Sequence, residues 1–365
     1  MLRPISRFDA AGFGSPLAGE VRSDGEPSEP AHGDIVAGFA RIATREALQQ
    51  AGLASGVDGR ATGLVVGTCL GEAERVFQGL GSEQLAERTE PISIGATAGY
   101  SCLAERLAAA LLLRGPVTTL SSACISGTAA VGLAADCIRR GEADTMLACG
   151  AEMLSRFVVS GFWLLRALAA GPVRPFDRRR DGLALGEGAA VLVLEERARA
   201  RARGATVLAE VLGSGSANDA HHMTGPSPMG NGLLRAIEAA LRQAGCSPDD
   251  VDFINAHGTG TQYNDRMETI AIKRALGARA YEVPVVSVKP IVGHTLGAAG
   301  ALEAVLSVKV LAEGVVPPTI NYGEADAECD LDYVPNRARA QSTRRALSCS
   351  SAFGGTNGVL LLGVP

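Results

Sequence analysis

The feature that most constrains this fold is an internal repeat. A helix with the pattern Ala-Leu-x-Gln-Ala-Gly ends at Gly52 and is followed by an apolar strand over 62–67. The same pattern ends at Gly245 and is followed by a strand over 251–256. Glycine at both helix ends supplies the left-handed residue that closes a helix, and the apolar residues recur at helical spacing. The repeat predicts two similar α/β halves, residues 1–204 and 205–365.

A second pair of matching segments indicates where the halves carry their functional loops. The strand 116–120 leads through Cys124 into a helix over 125–140, and the strand 284–288 leads through His294 into a helix over 295–313. Both helices carry few charges, so we expect them to be central and buried all round. Apolar strands bounded by Gly and Pro predict buried sheets with helices between them. Pseudo-twofold packing of the halves would bring the two loops together.

The repeat is incomplete in its first half. The second half opens with a predicted strand over 205–213, whereas residues 1–35 hold Gly, Pro and charged residues with only short apolar fragments. The first half also carries extra residues, roughly 68–115, between its strand and the next. We therefore expect the first strand to be missing and its place to be empty, or filled by residues 1–25 or by a partner. An uncovered strand edge predicts a homodimer or a pair with a related subunit.

Composition and charge exclude several classes of protein. The 365 residues carry a net charge of −5, so no global positive field points to nucleic acid. The apolar stretch 120–135 is shorter than the roughly 20 residues of a membrane-spanning helix, and no signal-peptide pattern opens the chain. Eight scattered cysteines without a Cys-x-x-Cys pair are typical of reduced thiols. The sequence predicts a cytoplasmic protein without a membrane partner.

Three residues at strand ends suggest nucleophilic chemistry. Cys124 directly precedes a helix, whose N-terminus would stabilise a thiolate, although a cysteine in this context is more often an inert core thiol. Of only five histidines, His257 and His294 both lie in turns rich in Gly and Thr. One cysteine and two histidines at converging strand ends form a constellation suited to acyl transfer.

Four segments in this order resemble the motifs of β-ketoacyl-acyl-carrier-protein synthases of the Cys-His-His elongating class. They are 122–127, 257–261, 289–300 and 353–357, and the pattern over 174–188 agrees. The resemblance runs from about residue 3 to residue 362. It implies the thiolase-like fold, two similar halves in a five-layered α-β-α-β-α core, usually as a dimer. The family opens with a strand and helix upstream of the segment that resembles 3–9, and its counterparts of 69–92 and of the segment after Ala170 are longer.

The resemblance also implies a reaction, the decarboxylative condensation of an acyl-enzyme thioester with a malonyl-carrier thioester. Cys124 would take the acyl group from acyl carrier protein. His257 and His294 would polarise the malonyl thioester carbonyl and assist loss of CO2, because a developing enolate needs hydrogen-bond donors. The carbanion would then attack the acyl-cysteine and give 3-oxoacyl-carrier protein.

Further residues take supporting roles by the same resemblance. The backbone N–H groups of Cys124 and Phe353 would form the oxyanion hole, and Phe353 would also gate the acyl pocket. Lys289 would order the site and add positive potential. Glu187 resembles the carboxylate behind this lysine, with a purely structural buried ion pair as the alternative.

Cofactor and partner expectations follow from the same family. No cofactor of its own is expected, because the phosphopantetheine arm is carried by the acyl carrier protein. Thr259 and Thr261 of this chain would hydrogen-bond that arm. No metal is expected either, since His221 and His222 lack a third ligand at useful spacing. The arginine runs 178–180 and 197–203 are typical of solvated faces, with docking of an acidic carrier as the alternative.

Two other functions share this fold. A non-catalytic chain-length-factor partner lacks the cysteine, and Cys124 with both histidines argues against it. A thiolase acting on coenzyme A thioesters uses a second cysteine in place of one histidine, and the segment 353–357 has none. Fatty-acid elongation and a specialised polyketide or polyene pathway both stay open at this point.

Overall fold

The computed structural model describes residues 2–14, 16–22, 35–54, 56–58, 61–71 and 99–365. The strands are β1 (Arg3–Pro4), β2 (Leu17–Gly19), β3 (Thr62–Gly67), β4 (Val117–Leu120), β5 (Thr145–Glu152), β6 (Leu185–Gly186), β7 (Gly188–Glu195), β8 (Glu210–Asn218), β9 (Phe253–Asn255), β10 (Val285–Val286), β11 (Val315–Val316), β12 (Arg339–Ala340), β13 (Arg345–Ser351) and β14 (Thr356–Gly363). The α-helices are α1 (Ile35–Gln50), α2 (Cys102–Ala110), α3 (Ser126–Arg139), α4 (Arg156–Leu164), α5 (Arg197–Ala202), α6 (Asn231–Ala244), α7 (Gln262–Leu276), α8 (Lys289–Val292) and α9 (Ala299–Glu313). None of the helices in these ranges has the length and apolar character needed to span a membrane.

The two main sheets repeat one another strand for strand. The first has the order β4-β3-β5-β7, and the second has the order β10-β9-β13-β14-β8. In each sheet the first three strands are parallel and the fourth is antiparallel to the third. The strands that the sequence pairs, β3 with β9 and β4 with β10, occupy equivalent positions. The internal repeat predicted from sequence is therefore present in the structure.

Helices form three layers, one on the outer face of each sheet and one between the two sheets. Helices α1 and α2 pack their apolar side chains on the outer face of the first sheet, and α6 and α7 cover the outer face of the second. Between the sheets, side chains of α3 and α9 share one cluster with residues of both sheets. The order is therefore α-β-α-β-α, as expected, and the small-residue helices α3 and α9 form the central layer.

Glycines at the crossing of α3 and α9 let the two backbones touch. A Cβ added to Gly127 would lie 2.6 Å from the backbone nitrogen of Ala301, and one added to Gly300 would lie 2.0 Å from Oγ1 of Thr128. Such distances are far shorter than ordinary van der Waals contact. The low side-chain volume of these helices is what allows the two halves to approach this closely.

The first strand of the second half lies further along the chain than predicted. The prediction was 205–213, but β8 spans Glu210–Asn218 and pairs with β14. Its Gly- and Ser-rich end resembles a loop in sequence, yet a Cβ on Gly213 or Gly215 would lie 2.3 or 2.0 Å from carbonyl oxygens of α6. These glycines are present because the strand packs directly against a helix backbone.

Among the described residues, the first sheet has one strand fewer than the second. In the described part of the chain, no strand pairs with the outer edge of β7, the position equivalent to that of β8 beside β14. The described residues before α1 form β1 and β2 instead, in a separate small sheet with β6. This agrees with the predicted missing strand. Residues 1, 15 and 23–25 of the predicted filler 1–25 lie outside the described residues, and so do residues 72–98 of the extra segment.

Candidate active site

Three loops at the carboxyl ends of parallel strands bring the predicted reactive residues together. Cys124 lies between β4 and α3, His257 follows β9, and His294 follows β10 and the short helix α8. The Nε2 atom of His294 lies 3.1 Å from Sγ of Cys124, and the two imidazole rings are 5.1 Å apart at an angle of 86°. The three residues are only 7%, 4% and 1% exposed. The meeting of the two matching loops is thus as the repeat predicted.

The backbone around the cysteine and its matching histidine is strained in the same way. Ala123 has a φ of +47° and Leu296 a φ of +50°, in the left-handed region that non-glycine residues rarely adopt. Each such residue costs on the order of 1–3 kcal/mol and persists only where its surroundings impose it. The hydroxyl of Ser126 holds the turn at Ala123 in this conformation. It accepts a hydrogen bond from the Ser122 N–H at 2.8 Å and donates one to the Ala123 carbonyl at 2.6 Å.

Several groups hold the pKa of Cys124 well below that of a free thiol. The first cause is a hydrogen bond from the side chain of Cys69, followed by the positive potential and hydrogen bond of His294 and the charge of Lys289. Burial acts in the opposite direction but is outweighed. These groups favour the thiolate form of Cys124 over that of a free thiol. Sequence reasoning missed Cys69, because only the pairing of β3 with β4 places it beside the nucleophile.

Lys289 is buried behind the two histidines and joins two parts of the site. Its Nζ donates to the carboxylate of Glu303 on α9 and to the backbone carbonyl of His257. An ammonium group that is 2% exposed needs such a partner, since an unpaired buried charge is strongly destabilising. Lys289 therefore fixes the His257 loop to the central helix layer.

The position behind Lys289 belongs to Glu303, and the expectation that Glu187 fills it was wrong. The Glu187 carboxylate pairs instead with the guanidinium of Arg7, and it accepts the N–H groups of Val21 and Leu154, both at 3.0 Å. It thus ties the N-terminal sheet to the loop after β5. The alternative role, a structural ion pair, is the one that the contacts support.

The His257 loop is held by a buried carboxylate that sequence reasoning also missed. Glu268 on α7 accepts the N–H groups of His257 at 2.5 Å and Gly258 at 2.8 Å. Burial raises the pKa of Glu268 to about 7. Burial, with the charges of Lys289 and His294, lowers the pKa of His257 well below its ordinary value. His257 is therefore a neutral imidazole at neutral pH.

A cavity of about 420 Å³ gathers six of the predicted residues. Cys124, His257 and His294 lie in its wall with Thr259, Thr261 and Phe353. The hydroxyls of Thr259 and Thr261 are 2.9 Å apart, and the Phe353 ring, 36% exposed, stacks on Phe162 at 5.6 Å. The wall is mostly apolar, so the cavity suits a hydrocarbon chain with a polar group near the sulfur.

Comparison with known proteins agrees with this geometry. The family models described as "Beta-ketoacyl synthase, N-terminal domain" and "Beta-ketoacyl synthase, C-terminal domain" match residues 23–200 and 208–323. The ketoacyl synthase alpha subunit of the tetracenomycin polyketide synthase of Streptomyces glaucescens is 43% identical to this chain. The alignment, 393 residues long with its gaps, covers 100% of this chain and 90% of that protein.

Two solved structures have the same fold along nearly the whole chain. One is a type II polyketide synthase acyl-carrier protein in complex with its ketosynthase bound to the hexaketide. Its TM-score is 0.90 at 33% identity, covering 99% of this chain and 91% of that one. The other is the ishigamide ketosynthase/chain length factor, with a TM-score of 0.87 at 37% identity, covering 100% and 92%.

Proposed function

The chain belongs to the β-ketoacyl synthase family, and on that premise we propose that its cavity condenses an acyl group on Cys124 with a malonyl-carrier thioester. The enzyme is an acyltransferase that forms 3-oxoacyl-carrier protein by decarboxylative condensation, in fatty-acid or polyketide synthesis. The observation that carries the residue roles is the 3.1 Å contact between Cys124 and His294 beside His257. In this proposal residues 1–204 supply the nucleophile and residues 205–365 supply both histidines.

The first half-reaction transfers the acyl group to the enzyme. The Cys124 thiolate attacks the thioester carbonyl of the acyl carrier, which is possible at neutral pH because Cys69, His294 and Lys289 lower its pKa. The backbone N–H groups of Cys124 and Phe353 stabilise the tetrahedral oxyanion. The carrier leaves as a thiolate, which takes a proton from solvent, and the negative charge on Cys124 is gone.

The second half-reaction uses the two histidines. With the sulfur acylated, His294 Nε2 is free to turn its N–H to the malonyl thioester oxygen, together with that of the neutral His257. Both donors stabilise the enolate that forms as CO2 leaves, and the charge of the buried Lys289 favours the same species. The enolate carbon attacks the acyl-cysteine carbonyl, and Cys124 leaves as the thiolate.

The substrate arm and the partners follow from the mouth of the cavity. Thr259 and Thr261 offer hydroxyls to the phosphopantetheine arm of an acyl carrier protein, which brings the only prosthetic group that the reaction uses. Phe353, stacked on Phe162, gates the acyl pocket. The solved relative that holds its acyl-carrier protein supports this partner. A carrier protein as substrate also supports the cytoplasm as the compartment.

A second ketosynthase-like subunit is the other proposed partner. The edge strand β4 bears the exposed side chain of Val117, and one solved relative is a ketosynthase with a chain length factor. The Streptomyces relative and the hexaketide complex favour polyketide assembly as the pathway. A purely scaffolding role is opposed by the Cys124–His294 contact, which a scaffold does not need.

Reconstituted turnover tests the proposal. Wild-type protein with acyl-carrier and malonyl-carrier substrates should release CO2 and give 3-oxoacyl-carrier, and Cys124→Ala should give none. Cys137→Ala is the matched control, since it removes another buried thiol from the helix that follows Cys124. Turnover by Cys124→Ala at the wild-type rate would overturn the assignment of the nucleophile.

A further inference from the structure

A second sulfur lies near the nucleophile and forms no bond to the substrate in the condensation. Cys69 follows β3 and Cys124 follows β4, and these strands are neighbours in parallel with Gly67 opposite Leu120. Cys124 lies in one packed apolar cluster, and the partly buried Cys69 packs against that cluster. The carboxyl ends of two adjacent strands therefore place the two cysteines in one cluster beside the cavity.

The backbone holds Cys69 in this position from several sides. Its N–H donates to Oε2 of the buried Glu152 at 2.6 Å, and its carbonyl accepts from the Ser121 hydroxyl at 3.3 Å. Gly297 packs directly on it, since a Cβ there would lie 2.4 Å from the Cys69 nitrogen. Such contacts fix the backbone of Cys69 next to the segment that leads into the Cys124 turn.

The two sulfurs have opposite ionisation tendencies. The surroundings of Cys124 lower its pKa, whereas interaction with Cys124, burial and the nearby Glu152 carboxylate raise the pKa of Cys69. Burial also raises the pKa of Cys149 and of Cys329 to about 12, so neither of these is a competing thiolate. A thiolate with a protonated thiol at its side is the arrangement in which an oxidised sulfur is captured by its neighbour.

We propose that Cys69 is a resolving cysteine, which captures Cys124 as a Cys69–Cys124 disulfide when a peroxide oxidises the nucleophile. The Cys124 thiolate attacks one peroxide oxygen and the O–O bond breaks. The sulfur loses two electrons and becomes a sulfenic acid, and the other oxygen leaves as hydroxide, which takes a proton from solvent. Cys69 then attacks the Cys124 sulfur, the S–O bond breaks, and the departing oxygen takes the Cys69 proton and leaves as water.

The disulfide has two consequences for the enzyme. Acylation stops, because Cys124 no longer carries a thiolate. Further oxidation to the irreversible sulfinic and sulfonic acids also stops, and a dithiol reductant restores both thiols while it becomes a disulfide itself. The inference rests on the placement of the two cysteines at the ends of adjacent strands in one cluster, and it does not depend on the carrier substrate.

Peptide mapping after peroxide treatment tests the proposal without any substrate. Full-length wild-type protein treated with hydrogen peroxide should lose two hydrogen atoms in mass and yield one cross-linked peptide pair that joins Cys69 to Cys124. Sulfenic and sulfinic Cys124 without that cross-link, or a cross-link from Cys124 to a different cysteine, would overturn it.

Reversibility provides the second readout. Wild-type protein should regain most of its own untreated condensation activity after dithiothreitol, whereas Cys69→Ala should keep a Cys124 that has gained two oxygen atoms and should not recover. Cys246→Ala, which removes a thiol remote from the cavity, should behave as wild type. Equal recovery of Cys69→Ala and wild type would refute the resolving role, and the wild-type peptide map decides the matter if Cys69→Ala does not fold.

Discussion

Replacing His257 by alanine should separate the two half-reactions. The groups that lower the pKa of Cys124 are Cys69, His294 and Lys289, and His257 is not one of them. Acylation of Cys124 in His257→Ala should therefore stay within a few-fold of wild type. The enolate, by contrast, loses one of its two donors. Loss of one preorganised oxyanion donor costs about 10²–10³ in rate, or ~3–4 kcal/mol, so decarboxylation should fall by that factor.

Two assays measure these effects on the same variant. Stopped incubations with an acyl-carrier thioester, followed by intact mass, give the rate of acylation, and release of labelled CO2 from malonyl-carrier gives the rate of decarboxylation. His221→Ala is the matched control, because this histidine is exposed. Equal loss of both half-reactions in His257→Ala would refute the division of roles. Retained decarboxylation would refute the donor role of His257.

Four further outcomes are expected. Cys124→Gln should keep or raise malonyl decarboxylation while abolishing condensation, since a side-chain amide mimics the acyl-cysteine; a fall to the level of His257→Ala would contradict this. Glu268 has a pKa raised to about 7, so its contribution to stability is fully present below its unfolded pKa near 4.5 and is lost as the pH rises through 7. Relative to Glu268→Gln, the free energy of unfolding of wild type, measured with urea, should fall by ~3 kcal/mol between these pH values. Parallel pH profiles of the two proteins would contradict this. Gly300→Ala should lower the free energy of unfolding by roughly 1–3 kcal/mol because its Cβ meets Thr128, whereas Gly161→Ala, with open space around it, should not. Light scattering at micromolar concentration should show a dimer or a complex with a related subunit, and a stable, active monomer would exclude it.

The repeat carried most of the fold prediction. Helix ends at Gly52 and Gly245 and strands at 62–67 and 116–120 follow from local patterns, and α1, α6, β3 and β4 agree with them closely. The strand β8 was misplaced because its glycines are required by contact with α6, which no local pattern reveals. Residues 289–292 form a short helix that the strand-and-loop pattern did not predict.

The site was predictable where the chemistry is local to one motif. Cys124, His257 and His294 lie in distinctive strand-end segments, and matching loops of a repeated fold had to meet. The groups that support them were not predictable, since Cys69 and Glu303 reach the site only through strand pairing and helix packing. A buried lysine requires a buried acid, which is the one signal that could have led to Glu303.

The thioester on Cys124 is the most direct measure of the whole account. Wild-type protein incubated with an acyl-carrier thioester alone, without malonyl-carrier, should gain the mass of one acyl group, and peptide mapping should place that group on Cys124. Addition of malonyl-carrier should then discharge it as 3-oxoacyl-carrier. An acyl group on any other residue, or an acyl-cysteine that malonyl-carrier does not discharge, would contradict the account.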